Sequence, residues 1–257
     1  MTAPRMPVGF VGHGSPINAL GGPRADAWAA WGGNMPRPEA VLAVSAHFEA
    51  APPTLSSTSG ADLMYDFWGF PEEMYRLEYP APPAPEVALA VERLLGIELR
   101  VSRAEDRGLD HGAWVPLLHL LPHHDVPVVQ LSIPWSDDPA AMLALGSSLA
   151  PLRDDGVFIL GSGNIVHNLR RVDWTGAGEV ASWAGEFDAW VAEALLEDRA
   201  PSLTEYREPP LAAVAHPTQE HFVPLLVAAG AAVGDAPVFP VAGFELRSIS
   251  ARSVRFG

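Results

Sequence analysis

Nine histidines and no cysteine occur in this chain of 257 residues. Metal or acid–base chemistry must therefore run through imidazole and carboxylate, since disulfides, iron–sulfur clusters and thiolate zinc sites are excluded. Five of the histidines sit where a ligand would be met. His13 lies between two glycines in GFVGHGSPINAL, directly behind an apolar run. His47 ends AVLAVSAH, His167 follows GVFILGSGNIV, His111 stands in LDHGAWVPLLHLLP, and His221 in HPTQEHFVPLL. Neutral imidazole is a common ligand for zinc and iron, and several imidazoles around one cation satisfy one another where protonated rings would repel. Glycine beside His13 and His111 permits close backbone approach to a ligand. Taken singly, each histidine is more often a hydrogen-bonded loop or core residue. Taken together, they point to one metal-binding mouth.

The segments that must position them read as an α/β domain. VGFVG (8–12), AVLAVSA (40–46), PVVQLSI (127–133) and GVFILG (156–161) are aliphatic on both faces, which suits strands covered by helices on both sides. Helical patterns fill the intervals at 84–96, 138–152 and 179–198, the second opening on an aspartate cap and a proline. This alternation predicts a three-layer α-β-α fold around a largely parallel or mixed sheet, formed by one domain spanning residues 1–257. His13, His47 and His167 then lie beyond the carboxyl ends of strands, the edge where open α/β sheets bind ligands. GSGN (161–164) reads as a turn, and the tail FELRSISARSVRFG as a more exposed strand or hairpin. YPAPPAP (79–85) reads as a surface loop. The pattern places His221 in the first turn of a helix capped by Thr218. Asp110 either orients His111 or caps its helix, and His216 either reaches the same pocket or shapes its own turn.

A net charge of −15 with only 16 Lys+Arg argues against nucleic acid as a partner. MTAPRMPVGF lacks the apolar core of a signal peptide, and FVPLLVAAGAAVG is too short to span a bilayer, so a cytoplasmic protein with no membrane partner is expected. His119, among leucines inside a helix, and His123 and His124, in the polar turn PHHD, are read as structural.

GHGSPINAL, VSAHFE, YDFWGFPEEMYRLEYPAP, LDHGAWVPL, GSGNIVHNLR and HPTQEHFVPLL follow one another in unbroken order. Together they resemble the class III extradiol ring-cleavage dioxygenases of the LigB type, in the single-chain branch of DOPA 4,5-dioxygenase-like proteins. The resemblance implies a mononuclear non-haem Fe(II) site, with zinc as the alternative metal, held by His13, His47 and His221. More distant two-chain relatives use a glutamate as third ligand, and Glu220 is adjacent here. Neighbours on a helix point about 100° apart, so one of the two faces the metal, and the branch implies His221. It also implies acid–base work for His167 and proton transfer or substrate contact for His111, with a small catechol and O2 as the reactants.

Two other classes stay open on the residues alone. A zinc-dependent hydrolase would use the same histidines to activate water and would work without O2; neither GHGSP nor GSGNI is a G-x-S-x-G elbow. A non-catalytic metal or small-ligand binder would hold metal and consume no oxygen. Tyr65, Phe67, Trp68, Phe70 and Tyr75 either cover a substrate ring or pack their loop on the core.

Overall fold

The computed structural model describes residues 5–134, 138–197, 200–209, 211–232 and 234–257. In chain order the strands are β1 (Val8–Gly12), β2 (Ala40–Ser45), β3 (Thr54–Leu55), β4 (Ser102–Arg103), β5 (Val128–Gln130), β6 (Val157–Gly163), β7 (Pro237–Val241), β8 (Phe244–Glu245), β9 (Ile249–Ser250) and β10 (Ser253–Phe256). The α-helices are α1 (Pro23–Gly33), α2 (Pro85–Leu99), α3 (His111–Leu120), α4 (Pro139–Leu149), α5 (Ser182–Leu196), α6 (Ala212–Ala215) and α7 (Val223–Ala231).

Six strands form the central sheet in the order β5-β2-β6-β1-β10-β7. The first four run parallel, and β10 is antiparallel to both of its neighbours. Successive residues of the buried strands feed opposite sides, as the period of two requires. Phe10, Leu42, Val44 and Ile159 pack with Leu145, Phe187 and Leu226 of α4, α5 and α7. Val11, Val41, Phe158 and Leu160 pack with Trp28, Trp31 and Trp114 of α1 and α3. The sheet is thus the middle of three layers, as the alternating pattern predicts.

Three local readings are corrected. GSG of GSGN is the end of β6, not a turn. The tail is not peripheral: β8 and β9 form a hairpin, but β10 is inserted between β1 and β7, because its Val254 and Phe256 complete the core. The third helical pattern begins only at Ser182, and its last expected residue, Asp198, lies outside the described residues. The aspartate cap before α4 is present, with Asp138 accepting from the Ala140 N–H at 2.9 Å.

Glycines at the end of β6 let α7 and the segment before it lie against the sheet. A Cβ on Gly161 would fall 2.3 Å from the Pro224 carbonyl oxygen, and one on Gly163 would fall 2.1 Å from that of His221. Gly163→Ala must therefore displace backbone. It is expected to cost about 1–3 kcal/mol, the usual range for overpacking, and thermal unfolding measures it as a fall of several degrees in Tm. A variant as stable as the parent would show that β6 does not hold the His221 segment.

Candidate metal centre

The carboxyl ends of β1, β2 and β6 bring their following residues to one point. The peptide after β1 bonds across to β6, His13 N–H to Gly163 O at 2.9 Å, and Gly14 turns the chain away at φ +61°, beneath the Arg24 guanidinium. The Ala46 N–H donates to Ser162 O at 2.9 Å, fixing the residue before His47. His47 is held at both ends of its own peptide: its N–H donates to Ser45 Oγ at 3.2 Å, and its carbonyl accepts from Arg107 at 2.9 Å. The Asn164 N–H donates to His221 O at 2.9 Å, tying the third segment to the same strand end.

The ring centroids of His13, His47 and His221 lie 5.0, 5.2 and 5.4 Å apart. One nitrogen from each falls within 4.8 Å of the others. His111 lies beside them, its ring 4.0 Å from that of His47, and the His167 ring lies parallel to His221 at 3.4 Å with an 11° tilt. All five predicted histidines therefore meet.

Hydrogen bonds fix which nitrogen each ring presents. Ser162 Oγ donates to the Gly112 carbonyl and so accepts from His13 Nδ1 at 2.9 Å. His221 Nδ1 donates to Glu220 Oε1 at 2.9 Å. In both rings Nε2 is then the lone-pair nitrogen. His13 Nε2 lies 3.2 Å from His47 Nε2, and His221 Nε2 is buried without a partner. Three convergent Nε2 atoms, one of them orphaned, form a donor set that fits a divalent transition metal.

The electrostatics favour neutral rings. Burial, then the neighbouring histidines, pushes His13 and His221 well below the ordinary value of 6.5. Burial and His111 bring His47 to about 3, and burial brings His167 to about 4.

Several sequence readings of this region change. His221 is not in a helix capped by Thr218. Helix α7 starts at Val223, where Pro224 suits the first turn, and the Thr218 hydroxyl donates to Glu220 Oε1 at 2.9 Å. Glu220 and His221 are therefore not neighbours on a helix, and the Glu220 carboxylate grips the imidazole at Nδ1, the side away from Nε2. Asp110 precedes α3 but its carboxylate neither caps the helix nor touches His111; it takes Ser45 Oγ at 2.7 Å and Gln130 Nε2 at 2.9 Å. The partner of His111 is Asp66, whose Oδ1 accepts from both the His111 N–H and Nδ1 at 2.9 Å. Burial opposes the Asp66 charge, but these hydrogen bonds from His111 hold its carboxyl at about 2. The sequence reading missed it, although an acid set among Tyr65, Phe67 and Trp68 is an available signal.

His216 sits apart from this cluster, with Nε2 on the Ile165 carbonyl and its ring among Phe187, Tyr206 and Phe222. His119 bonds the Asn18 carbonyl at 2.9 Å and stacks on Trp28, as a structural residue. Phe67 meets His111 edge-on at 5.8 Å, whereas Trp68 is 86% exposed.

A mixed α/β sheet with imidazoles gathered at its carboxyl edge is the plan of a metal-site enzyme, and its class is shown by comparison. Residues 22–257 match the family described as the catalytic LigB subunit of aromatic ring-opening dioxygenase, and the chain belongs to that family. It is 39% identical, over its whole length and 97% of the relative's, to 4,5-DOPA dioxygenase extradiol of Escherichia coli (strain K12). Identity to the protein of that name from Beta vulgaris is 40%, covering 87% of this chain and 85% of the relative. A crystal structure of an uncharacterized protein from Escherichia coli K12 superposes with a TM-score of 0.86 at 35% identity, covering 98% of this chain and all of the other. The protein is an extradiol dioxygenase, and its family uses a non-haem metal. Among the described residues, no helix is long and apolar enough to cross a membrane.

The depressed histidines make folding depend on pH. Between about 6.5 and their folded values, the unfolded chain binds more protons than the native one, so stability rises with pH. The contribution is complete above about 6.5 and is lost as pH falls through about 4 for His167 and His216 and about 3 for His47. The urea midpoint of chelator-treated protein should already fall between about pH 6.5 and about pH 5, before most carboxylates titrate. A flat midpoint across that span would contradict the assignment.

Proposed function

We propose that this single catalytic domain cleaves a catechol beside its two hydroxyls with O2, at one iron(II) held by the Nε2 atoms of His13, His47 and His221. The observation that carries the reading is the set of three convergent imidazoles, His13 and His221 buried and His47 half-buried, in which the other nitrogens of His13 and His221 are already held by Ser162 and Glu220. A bound non-haem Fe(II) supplies Lewis acidity toward the diol and redox chemistry toward O2.

The chain's own residues handle protons and placement. A catechol must shed protons to chelate, and bases at the site are needed to take them. His111 donates through Nδ1 to Asp66, which leaves Nε2 as an acceptor for a hydroxyl proton. His167 is neutral at pH 7 and half-buried, so it faces both substrate and the His221 ring. It accepts a proton and returns it later. Phe67 borders His111 where the substrate ring would lie. The names of the relatives support a DOPA-like catechol.

Anaerobic reconstitution with Fe(II), followed by oxygen uptake against a panel of catechols, tests the reading. The expected result is a yellow semialdehyde with one O2 consumed per ring. Turnover that persists without O2, or intradiol products, would overturn it. On the same preparation His167→Ala should keep its metal and lose about 10²- to 10⁴-fold in rate; metal loss would make His167 a ligand, and full activity would remove it from the mechanism.

Asp66→Asn separates orientation from coordination. It is expected to lower kcat by about 10- to 100-fold, the usual effect of removing a partner that orients a site residue, with metal content intact. An unchanged kcat would show that His111 needs no carboxylate.

A further inference from the structure

Asp110 is wholly buried, and its carboxylate is bonded to none of the five imidazoles. It receives three donors instead: Ser45 Oγ on Oδ1 at 2.7 Å, and Gln130 Nε2 at 2.9 Å and Arg107 Nη2 at 3.2 Å on Oδ2. Three donors suit the ionised, acceptor-only form. Burial and the nearby Asp66 charge push this carboxyl up, against the hydrogen bonds from Ser45 and Gln130. Desolvation makes such a buried charge a poor source of stability.

What the carboxylate does hold is one peptide. Ser45 Oγ, which donates to Oδ1, accepts the His47 N–H at 3.2 Å. Arg107 Nη2, which donates to Oδ2, also donates to the His47 carbonyl at 2.9 Å. The two hydrogen bonds close a ring that starts and ends on Asp110, with both backbone groups of His47 inside it. The guanidinium is kept in place by the Phe48 ring, whose centroid is 3.9 Å from Arg107 Cζ.

The same residue fixes His111. Gln130 of β5 grips Asp110 a second time, its Oε1 accepting the Asp110 N–H at 3.0 Å, and the Asp110 carbonyl takes the Ala113 and Trp114 N–H groups at 3.0 Å to start α3. Gly112 gives the clearance for this junction: a Cβ there would fall 2.4 Å from Ser45 Oγ and 3.0 Å from His47 Cδ2. Asp110 thus links His47 to His111, whose rings are 4.0 Å apart.

We propose that Asp110 is a positioning residue for the metal: its carboxylate, through Ser45 and Arg107, aims the His47 imidazole and sets its spacing from His111. The proposal rests on the reading of His47 as a ligand. Asp110 is not itself a ligand, so its effect falls on metal affinity and geometry before any turnover.

Cobalt(II) titrated into chelator-treated protein without oxygen reads affinity and, through its visible absorption, ligand geometry. Asp110→Asn keeps the size and removes the charge. It should weaken cobalt binding about 10- to 100-fold, the usual effect of removing a partner that orients a metal ligand, and shift the visible bands. Asp188→Asn is the matched control, since Asp188 is also buried and bonded to a serine and an arginine, Ser250 and Arg252, but not to the His47 peptide. It should lower Tm and leave cobalt affinity and bands as in the parent. Arg107→Ala should weaken cobalt as Asp110→Asn does, and Arg107→Lys, which can still bridge the two oxygens, should recover most of the loss; this pair decides the matter if Asp110→Asn does not fold. Parent-like affinity and bands in Asp110→Asn, an equal loss in Asp188→Asn, or a lysine no better than alanine at position 107 would overturn the proposal. His47→Ala separates the two readings: cobalt binding like the parent's would sink the ligand assignment and this proposal with it, whereas loss of cobalt there but not in Asp110→Asn would sink the positioning role alone.

Discussion

The end of strand β6 is the constraint on which the site depends. Ser162 and Gly163 offer two carbonyls, one hydroxyl and a missing side chain, and each is used. The Gly163 carbonyl takes the His13 N–H, the Ser162 carbonyl takes the residue before His47, and the Ser162 hydroxyl sets the His13 tautomer. The bare Cα of Gly163 lets the His221 carbonyl approach. Backbone hydrogen bonds of a central, fully buried strand are among the least mobile groups in a fold. Building the histidines around one such end gives three separate chain segments a common reference.

Charge explains why the cluster tolerates burial. Imidazoles crowded together cannot all be protonated, and desolvation holds His13, His47, His167 and His221 neutral. Neutral rings are also the form that binds metal. Two carboxylates then divide the orienting work: Glu220 grips His221 from one side, and Asp66 grips His111 and lies 3.8 Å from His47 Nδ1 on the other. The Asp66 loop also carries Phe67 and Tyr65, so the aromatic wall and the orienting charge arrive on one segment.

Much of this was legible in the sequence. Aliphatic runs covered on both faces identified the parallel strands, and histidines just beyond them identified the edge that matters. The features missed depend on contacts between distant segments. Asp66 and His111 are 45 positions apart, and Ser162 and His13 are 149 apart, so no local spacing links them. The Thr218 reading failed because a polar residue five positions before a helix looks like a cap, whereas the hydroxyl had a carboxylate closer at hand. Short alternation in the tail does not reveal that β10 is inserted between β1 and β7.

The central claim is that three imidazoles, with no carboxylate, hold the metal. X-ray absorption at the iron edge of the anaerobic Fe(II)-loaded protein tests it directly, comparing the parent chain with Glu220→Gln and His221→Ala. The account predicts scattering from three imidazoles in the parent, the same in Glu220→Gln, and two in His221→Ala. Two imidazoles and a carboxylate in the parent, with the carboxylate lost in Glu220→Gln, would contradict it.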